Sequence, residues 1–191
     1  MNGNLYVFEG LDGVGKSTAA EAFADEIDAV YWESPGAGLQ EIREYVDSGA
    51  HTKQTKFLMY LASNSAIADK IEPHLEAGND VVLDRYVPTT VVYNEVGEVE
   101  KGRWQKLADQ FDFVEPDQIF YLWVDEETRR QRMERREETE PSGETVEELG
   151  VSEATEAYER AAERYDMTRV EAIDGVENVV EKLLSEAEFN D

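Results

Sequence analysis

A short apolar strand leads directly into a glycine-rich loop near the start of this chain. The predicted strand is Leu5–Glu9, and the loop that follows has the spacing Gly10-x4-Gly15-Lys16-Ser17. Glycine adopts backbone conformations that other residues avoid, so Gly10, Gly13 and Gly15 allow successive main-chain N–H groups to point at one anion. The helix predicted after the loop aims the positive end of its dipole at the same point. This order of strand, loop and helix predicts a site for the phosphates of a nucleoside triphosphate.

Two side chains of the loop support the same interpretation. Lys16 adds a positive charge beside the phosphates, and the Ser17 hydroxyl is a suitable ligand for Mg²⁺. The alternative is a glycine-rich turn that carries a lysine by chance. The apolar strand before the loop and the helical pattern after it favour the phosphate site.

Strand and helix patterns alternate along the whole chain, as they do in parallel α/β proteins. The fourth strand is almost continuously apolar, which is typical of burial on both faces of a parallel sheet. The predicted strands are Leu5–Glu9, Ala29–Trp32, Asp80–Leu83, Gln118–Val124 and Arg169–Ile173, and the predicted helices are Ser17–Ile27, Leu39–Val46, Thr55–Leu75, one after the fourth strand, and Val176–Ala187. We therefore predict one domain over residues 1–191, an α/β three-layer α/β/α sandwich around a five-stranded parallel sheet, with the P-loop NTP hydrolase fold.

The chain is strongly acidic, with 44 acidic and 18 basic side chains and a formal net charge of −26. Binding to nucleic acid needs a basic surface, so nucleic acid is not an expected partner. The acidic residues are spread along the chain, and only seven residues are lysine. At about 1 M salt the Debye length falls to roughly 3 Å and self-repulsion is screened. The composition therefore indicates a halophilic protein.

Two absences in the sequence bear on where the protein acts. The chain has no cysteine, which excludes disulfides and thiolate metal sites. It also has no apolar run of about 18 residues and no basic-then-apolar signal pattern at its N-terminus. These features predict a soluble, cytoplasmic protein with no membrane partner.

Charged residues follow three of the predicted strands, at the edge where parallel sheets bind their ligands. Asp12 lies in the loop after the first strand, Arg43 comes after the second, and Asp84 and Arg85 follow the third. Such groups are costly to bury without a partner. An ion pair between Asp84 and Arg85 is one explanation, but adjacent strand residues point to opposite faces. We therefore predict that Asp84 acts on Mg²⁺ or its waters and that Arg85 binds a phosphate.

An arginine cluster breaks the acidic background after the fourth strand. Five of the 18 basic residues fall within eight positions: Arg129, Arg130, Arg132, Arg135 and Arg136. The polar segment that follows is typical of a mobile flap, so we predict an arginine-bearing lid over about residues 129–150 that closes on the phosphates. Pairing with nearby glutamates is the alternative, and it stays open for Arg129 and Arg130. For Arg132, Arg135 and Arg136 we favour a catalytic role.

Several segments resemble the thymidylate kinase family. Phe8-Glu9-Gly10-Leu11-Asp12-Gly13-Val14-Gly15-Lys16-Ser17-Thr18 is similar to the phosphate loop of that family. Asp84-Arg85-Tyr86, followed by Thr89 and Tyr93, resembles its Asp-Arg-Tyr segment. The likeness runs from residue 4 to about residue 185. The phosphate loop alone specifies a superfamily, whereas its combination with the Asp-Arg-Tyr segment is far more specific.

The resemblance implies an Mg²⁺-dependent kinase that transfers the γ-phosphate of ATP to dTMP. The residues that would bind ATP are Gly10, Gly13, Val14, Gly15, Lys16, Ser17 and Thr18, with Ser17 and Asp84 at the metal. Asp12 would face the acceptor sugar and the metal, Arg43 and Arg85 would bind the acceptor phosphate, and Tyr93 would favour a deoxyribose. Lys16, Arg85 and Asp12 are the implied catalytic residues besides the lid arginines. Family members with glycine at the position of Gly13 carry their catalytic arginine in the lid, and the family also implies a homodimer.

The sequence departs from the family in the helix that contacts the base. The family usually offers a phenylalanine that stacks on thymine and an arginine that reads its carbonyl oxygen, but residues 57–65 contain no arginine. Phe57 or Tyr60 could stack on a base there, and Ser63 or Asn64 could form hydrogen bonds with its edge. The identity of the acceptor base is therefore not fixed by the sequence.

Two other functions stay open beside phosphorylation of dTMP. One is a kinase of the same fold that acts on another nucleotide or on a deoxynucleoside, where Glu33 could serve as the base on a 5′-hydroxyl. The other is a nucleotide-binding regulatory protein without transfer activity. The pair Arg43 and Arg85 argues against the latter, because a pure binder needs no second phosphate site.

Overall fold

The computed structural model describes residues 2–35, 45, 51–99, 101–139 and 150–189, without the side chains of residues 136–139. The strands in this part of the chain are β1 Leu5–Glu9, β2 Val30–Glu33, β3 Val81–Asp84, β4 Gln118–Trp123 and β5 Thr168–Glu171. The helices are α1 Lys16–Glu26, α2 Lys53–Glu76, α3 Val87–Glu95, α4 Arg103–Ala108, α5 Glu126–Thr139, α6 Val151–Arg164 and α7 Val176–Glu186. All five predicted strands are confirmed, with ends that shift by a residue or two.

The five strands are parallel and form one sheet in the order β2-β3-β1-β4-β5. β1 lies at the centre, where Leu5 is opposite Val81 of β3 and Tyr6 is opposite Gln118 of β4. β2 and β3 lie on one side of β1, whereas β4 and β5 lie on the other. The chain therefore changes the side on which it adds strands to the sheet, and the change takes place at β1. Ligands bind at the carboxyl ends of the strands beside such a reversal. The glycine-rich loop after β1 occupies that position.

Helices cover both faces of the sheet and confirm the three-layer arrangement. α1 packs on β1, β2 and β3 and against α7, whereas α2 packs on β3 and contacts α3, which in turn contacts α6. Alternation along β1 separates the two layers. Tyr6 and Phe8 turn towards α1, where each ring centroid lies 5.5 Å from that of Phe23. Glu9 therefore turns to the opposite face, towards α3 and α6.

Three helices were not predicted, and two of them carry weak sequence signals. α3 is rich in valine and threonine and contains Pro88 in its first turn, a composition that does not favour helix. α4 is only six residues long. α6 carries a clear helical signal that was overlooked, since its buried residues recur at helical spacing and most are alanine, which favours helix: Ala154, Ala157, Tyr158, Ala161 and Ala162.

One expectation about a loop changes with the structure. The mobile flap predicted after the arginine cluster is wrong for residues 137–139, because α5 continues as a helix to Thr139. Residues 140–149 lie outside the described part of the chain, as does the predicted helix Leu39–Val46 apart from Tyr45, which is helical. No helix among the described residues is both long enough and apolar enough to cross a membrane.

The net charge of −26 leads to a prediction about stability in salt. Surface ion pairs such as Lys182–Asp174 neutralise only part of the acidic excess. Repulsion among the remaining carboxylates opposes the compact state, and salt screens this repulsion. We expect the melting temperature to rise by about 10 °C between low and molar KCl, since each kcal/mol of stability shifts it by roughly 2–4 °C at this chain length. Thermal melts across a KCl series measure this, and an unchanged melting temperature would contradict the halophilic interpretation.

Candidate active site

The glycine-rich loop has backbone angles and contacts that leave little room for larger residues. Gly10 has a φ of 144° and Gly13 a φ of 86°, both positive values that side chains disfavour. Gly10 also lies against β4, where a Cβ would come within 2.4 Å of the Leu122 carbonyl oxygen. The glycines at these two positions are therefore required by the backbone itself.

The end of the loop leaves the N-terminus of α1 available to an anion. Gly15, with a φ of 91°, precedes the helix, and no side chain caps it there. Val14 is buried and anchors the loop, while Ser17 and Thr18 are exposed on the first turn. Unpaired N–H groups and the helix dipole together favour a negatively charged ligand at this point.

Lys16 is buried and paired with the carboxylate that ends β3. Its Nζ lies 3.0 Å from Asp84 Oδ1, and the two side chains are 5% and 1% exposed. Burial lowers the pKa of Lys16 and the nearby Arg85 lowers it further, whereas Asp84 and Asp12 oppose both effects. The carboxylate of Asp84 thus offsets part of the cost of burying the loop's cation.

Arg85 and Asp12 form a second ion pair at the same edge of the sheet. Arg85 Nη2 donates to Asp12 Oδ1 at 2.5 Å, and the Tyr93 hydroxyl donates to Asp12 Oδ2 at 3.1 Å. Burial acts to raise the pKa of Asp12, but the charges of Arg85 and Lys16 outweigh it and hold that pKa below its usual value. The alternative ion pair between Asp84 and Arg85 is wrong, because each has a different partner.

The backbone of Arg85 is strained. Its φ of 70° lies in the left-handed region, which costs an L-residue about 1–2 kcal/mol. The N–H of Arg85 donates to the Phe8 carbonyl oxygen at 3.0 Å, so the turn after β3 is held on β1. Strain of this kind persists where the surroundings fix it and is common at functional sites.

Glu9 belongs to the site although the sequence patterns did not single it out. Its Oε1 accepts hydrogen bonds from the main-chain N–H groups of Tyr86 at 3.0 Å and Thr89 at 3.3 Å. Its Oε2 accepts one from the Thr89 hydroxyl, and Tyr158 OH lies 3.5 Å from the same oxygen. The available signal was a carboxylate at the end of an otherwise apolar strand, a group that must find donors when buried. Tyr158 was missed because α6 was missed.

α5 packs directly on the loop. A Cβ placed on Gly13 would lie 2.7 Å from Met133 Cγ, so helix and loop are in close contact there. Arg129 is 3% exposed, and its Nη1 donates to the Asp12 carbonyl oxygen at 3.3 Å. Arg129 is therefore part of the support of the loop.

Arg132 also binds main-chain carbonyl groups. Its Nη1 donates to Val14 O at 2.7 Å, and its Nη2 donates to Ala172 O at 2.8 Å and to Ile173 O at 3.3 Å. The predicted location of Arg132 in a mobile lid is wrong, because its guanidinium joins the loop to the segment that follows β5. Charged donors of this kind hold a loop more firmly than neutral ones.

The other three arginines of α5 differ in their roles: one forms ion pairs on the surface, and two stay candidates for binding the phosphates. Arg130 pairs with Glu127 at 2.8 Å and with Glu134 at 2.6 Å on the exposed side of the helix, so the glutamate-pairing alternative applies to it. Arg135 is exposed one turn beyond Arg132. Arg136 belongs to α5, but its side chain lies outside the described part of the structure. Arg135 and Arg136 stay candidates for the phosphates.

We expect Arg132→Ala to raise KM for ATP about 10-fold, since a charged hydrogen bond contributes about 1.5–3 kcal/mol. The acceptor KM should stay within about 2-fold, because Arg132 contacts only the loop and the segment after β5. Steady-state kinetics with each substrate varied measure both constants, and Arg130→Ala is the matched arginine control. A fall in kcat with unchanged KM for ATP would instead support a catalytic role for Arg132.

The two aromatic residues predicted to stack on a base differ in access. Phe57 is fully buried, and its ring centroid lies 4.7 Å from that of Trp104. The predicted stacking role of Phe57 is therefore wrong, because its faces are covered by the protein. Tyr60, one turn further along α2, is half-buried and stays the candidate.

The predicted polar contacts to the base are buried close to the end of β2. Asn64 Nδ2 donates to Thr90 Oγ1 at 3.0 Å, and Asn64 Oδ1 accepts a hydrogen bond of 3.4 Å from Ser34 Oγ. Ser63 Oγ is buried and has no hydrogen-bond partner among the residues the structure describes. Arg43 lies outside those residues.

The donor set around the loop fits Mg²⁺ held largely through phosphates. Within the described ranges, no group of three or more histidine, aspartate or glutamate side chains could hold a metal alone. The oxygen donors predicted for the ion are the buried Asp84 carboxylate and the exposed Ser17 hydroxyl. Mg²⁺ prefers oxygen ligands and usually takes one or two carboxylates together with waters and substrate phosphates. These residues suit that pattern.

The central β1, the glycine-rich loop and the lysine at the start of α1 define a P-loop nucleotide-binding protein of the α/β class. A comparison with protein families gives a more specific answer, because the family model described as Thymidylate kinase matches residues 8–183. The chain belongs to the thymidylate kinase family.

Individual relatives are similar over most of the chain. A "Probable thymidylate kinase" of Methanococcus maripaludis is 35% identical over 133 residues, which cover 69% of this chain and 65% of that protein. A "Thymidylate kinase" of Ruegeria pomeroyi is 32% identical over 72% of this chain and 71% of its own length. The match thus spans just under two thirds of the Methanococcus relative.

A solved structure agrees with the fold. The thymidylate kinase of Candida albicans superposes with a TM-score of 0.77 over 96% of this chain and 90% of its own, at 17% identity. This likeness supports the P-loop α/β architecture and its strand order.

Proposed function

We propose that this chain transfers the γ-phosphate of ATP to dTMP and releases ADP and dTDP. The observation that carries the proposal is the position of Arg85, whose guanidinium lies 2.5 Å from Asp12 of the glycine-rich loop. A cationic side chain next to the phosphate-binding loop supplies a second anion site. A kinase whose acceptor already carries a phosphate needs such a site. The family match and the names of the relatives support dTMP as that acceptor.

The reaction exchanges one phosphorus–oxygen bond for another. An oxygen of the acceptor phosphate forms a bond to the γ-phosphorus, and the bond between that phosphorus and the oxygen bridging it to the β-phosphate breaks. The attacking oxygen is already anionic, so no general base is required. The protein's task is to align two repelling anions and to neutralise the charge between them.

The charged residues of the site divide this task between the two substrates. Lys16 and the N–H groups at the start of α1 would bind the β- and γ-phosphates of ATP. Arg85 would bind the acceptor phosphate with Arg43, and Arg135 or Arg136 would add charge at the transferred group. Mg²⁺, when bound by Ser17 and Asp84, would neutralise charge on the β- and γ-phosphates.

The remaining site residues would select the acceptor nucleoside. Asp12 and Tyr93 lie together beside Arg85, where they would meet the acceptor sugar. Tyr60 would stack on the base, and Ser63 would supply a hydrogen bond to its edge, whereas the amide of Asn64 is already paired with Thr90 and Ser34. A buried polar group that only the correct base can pair discriminates strongly against the others.

A panel assay tests this function. ADP release from ATP is measured in molar KCl with dTMP, dUMP, dCMP, dGMP, thymidine and deoxyguanosine as acceptors. Selective turnover of dTMP is the expected result. Turnover of a nucleoside but of no monophosphate would favour a deoxynucleoside kinase, and ATP binding without turnover of any acceptor would favour a regulatory nucleotide-binding protein.

A further inference from the structure

We propose that Glu9 is a positioning residue for Arg85 and acts on it through the hydroxyl groups of Thr89 and Tyr158. The proposal rests on the proposed function, in which Arg85 binds the acceptor phosphate. It gives a role to a buried carboxylate that the transfer of phosphate does not itself use.

A buried carboxylate such as Glu9 needs hydrogen-bond donors. The donors of Glu9 all lie on the side of the site proposed to bind the acceptor. Its side chain is completely buried at the end of β1. Its Oε1 accepts hydrogen bonds from the N–H groups of Tyr86, the N-cap of α3, and of Thr89 in its first turn, and no side chain of the helix caps this end. Glu9 therefore caps α3 from the end of β1 and fixes the turn in which Arg85 has its strained backbone.

The hydrogen bonds around Thr89 can run in only one direction while Glu9 is ionised. A carboxylate is only an acceptor, so the Thr89 hydroxyl donates its single hydrogen to Glu9 Oε2. Its two lone pairs are then left for Arg85 Nη1, at 3.2 Å, and for Tyr158 OH, at 2.9 Å. The Tyr158 oxygen lies 3.4 Å from the same Nη1 and can accept from it. Glu9 thus makes both hydroxyl groups acceptors for Arg85.

The guanidinium of Arg85 is consequently held at two points. Asp12 binds Nη2, and the hydroxyl groups oriented by Glu9 bind Nη1. A guanidinium fixed at both ends loses less entropy when it binds a phosphate, which favours binding of the acceptor. Removing the negative charge of Glu9 weakens one of these two points and leaves the loop that binds ATP in place.

Burial raises the pKa of Glu9 to about 6, although the Thr89 hydrogen bond, the Arg85 charge, the Tyr86 N–H and the Lys16 charge lower it. The charged and titratable groups that interact with Glu9 are Arg85 after β3, Lys16 on α1, Tyr158 on α6 and Tyr165 just after α6. The positioning effect is present above that pKa and is lost as the pH falls through it. The acceptor phosphate also takes up a proton near about pH 6, so the two effects must be separated by mutation.

The variants Glu9→Gln and Thr89→Val test the proposal. In Glu9→Gln the amide NH₂ donates where Oε2 accepted, so Thr89 must give up a lone pair that served Arg85 or Tyr158. We expect each single variant to raise KM for dTMP about 10-fold, with KM for ATP within about 2-fold. The double variant should also stay near 10-fold, because both changes break the same chain of hydrogen bonds.

The pH profile gives a readout that a merely structural role would not change. For the wild type, log kcat/KM for dTMP should approach a slope of about two below pH 6, since both Glu9 and the substrate titrate there. For Glu9→Gln the slope should approach about one. Glu95→Gln is the matched control, because Glu95 is also buried and accepts a main-chain N–H, that of Gly102, but does not contact Arg85.

Three results would overturn the inference. These are an unchanged KM for dTMP in the single variants, an equal rise in KM for both substrates, and a multiplicative loss in the double variant. If Glu9→Gln does not fold, an unchanged KM for dTMP in Thr89→Val still overturns the inference, because this variant retains the carboxylate that caps α3. If the wild type phosphorylates another monophosphate, dTMP is overturned as the acceptor, and the Glu9 variants are then tested by their KM for that monophosphate. If the wild type phosphorylates no monophosphate, both proposals are overturned.

Discussion

Arg85→Ala is expected to lower kcat/KM for dTMP about 1000-fold and to leave the affinity for ATP within about 2-fold. The large loss has two sources, because the variant breaks a half-buried charged pair and also removes the proposed acceptor contact, and each charged hydrogen bond contributes about 1.5–3 kcal/mol. Asp12 loses its 2.5 Å partner in this variant, and its negative charge then faces the incoming phosphate. Kinetics with dTMP varied and calorimetric titration of ATP measure the two effects separately.

Two further variants make the Arg85 experiment specific. Arg85→Lys retains the charge but loses the planar fork, so it should recover only part of the activity. Arg130→Ala removes an exposed arginine that pairs with Glu127 and Glu134, and we expect little change in either constant. Loss of ATP binding in Arg85→Ala would place this arginine at the donor site instead.

Lys16→Met is expected to have the second large effect, a loss of about 100–1000-fold in kcat, since removal of one charge-stabilising donor costs about that much. This variant also leaves Asp84 buried without its 3.0 Å partner. Breaking a buried ion pair destabilises a protein by about 3–5 kcal/mol, which corresponds to a fall of roughly 10 °C in melting temperature at this length. Turnover assays and thermal melts measure the two losses.

A double variant separates the catalytic from the structural part of the Lys16 effect. Lys16→Met combined with Asp84→Asn removes both charges of the pair, so most of the stability should return. Turnover should not return, because the cation at the phosphates and a proposed metal ligand are both absent. Recovery of turnover together with stability would show that Lys16 acts through folding alone.

The five strands, their parallel arrangement and the place of the phosphate loop could be predicted from local patterns, but the strand order β2-β3-β1-β4-β5 could not. Apolar runs such as Gln118–Trp123 have no other stable place than a buried parallel strand, and the glycine spacing is tied to the strand before it and the helix after it. Helix α6 could have been predicted as a helix, because its apolar residues recur at helical spacing, but its place in the fold could not. Its position depends on contact with α3, which is distant in sequence.

Within the site, the charged residues at strand ends were predictable but their partners were not. Topology alone places Asp12, Asp84 and Arg85 at one edge. The choice of Lys16 for Asp84 and of Asp12 for Arg85 depends on the strained turn after β3, which no local pattern reports. The role of Arg132 was misjudged for a similar reason, since its carbonyl partners come from segments far apart in the chain.

The contact between Gly13 and Met133 limits how this site can change by mutation. A side chain at position 13 would start 2.7 Å from Met133 Cγ and would also require an unfavourable φ of 86°. A substitution at position 13 therefore forces the Met133 side chain, and with it the packing of α5 on the loop, to rearrange. A library built to place a cationic group in this loop should therefore vary Met133 together with position 13.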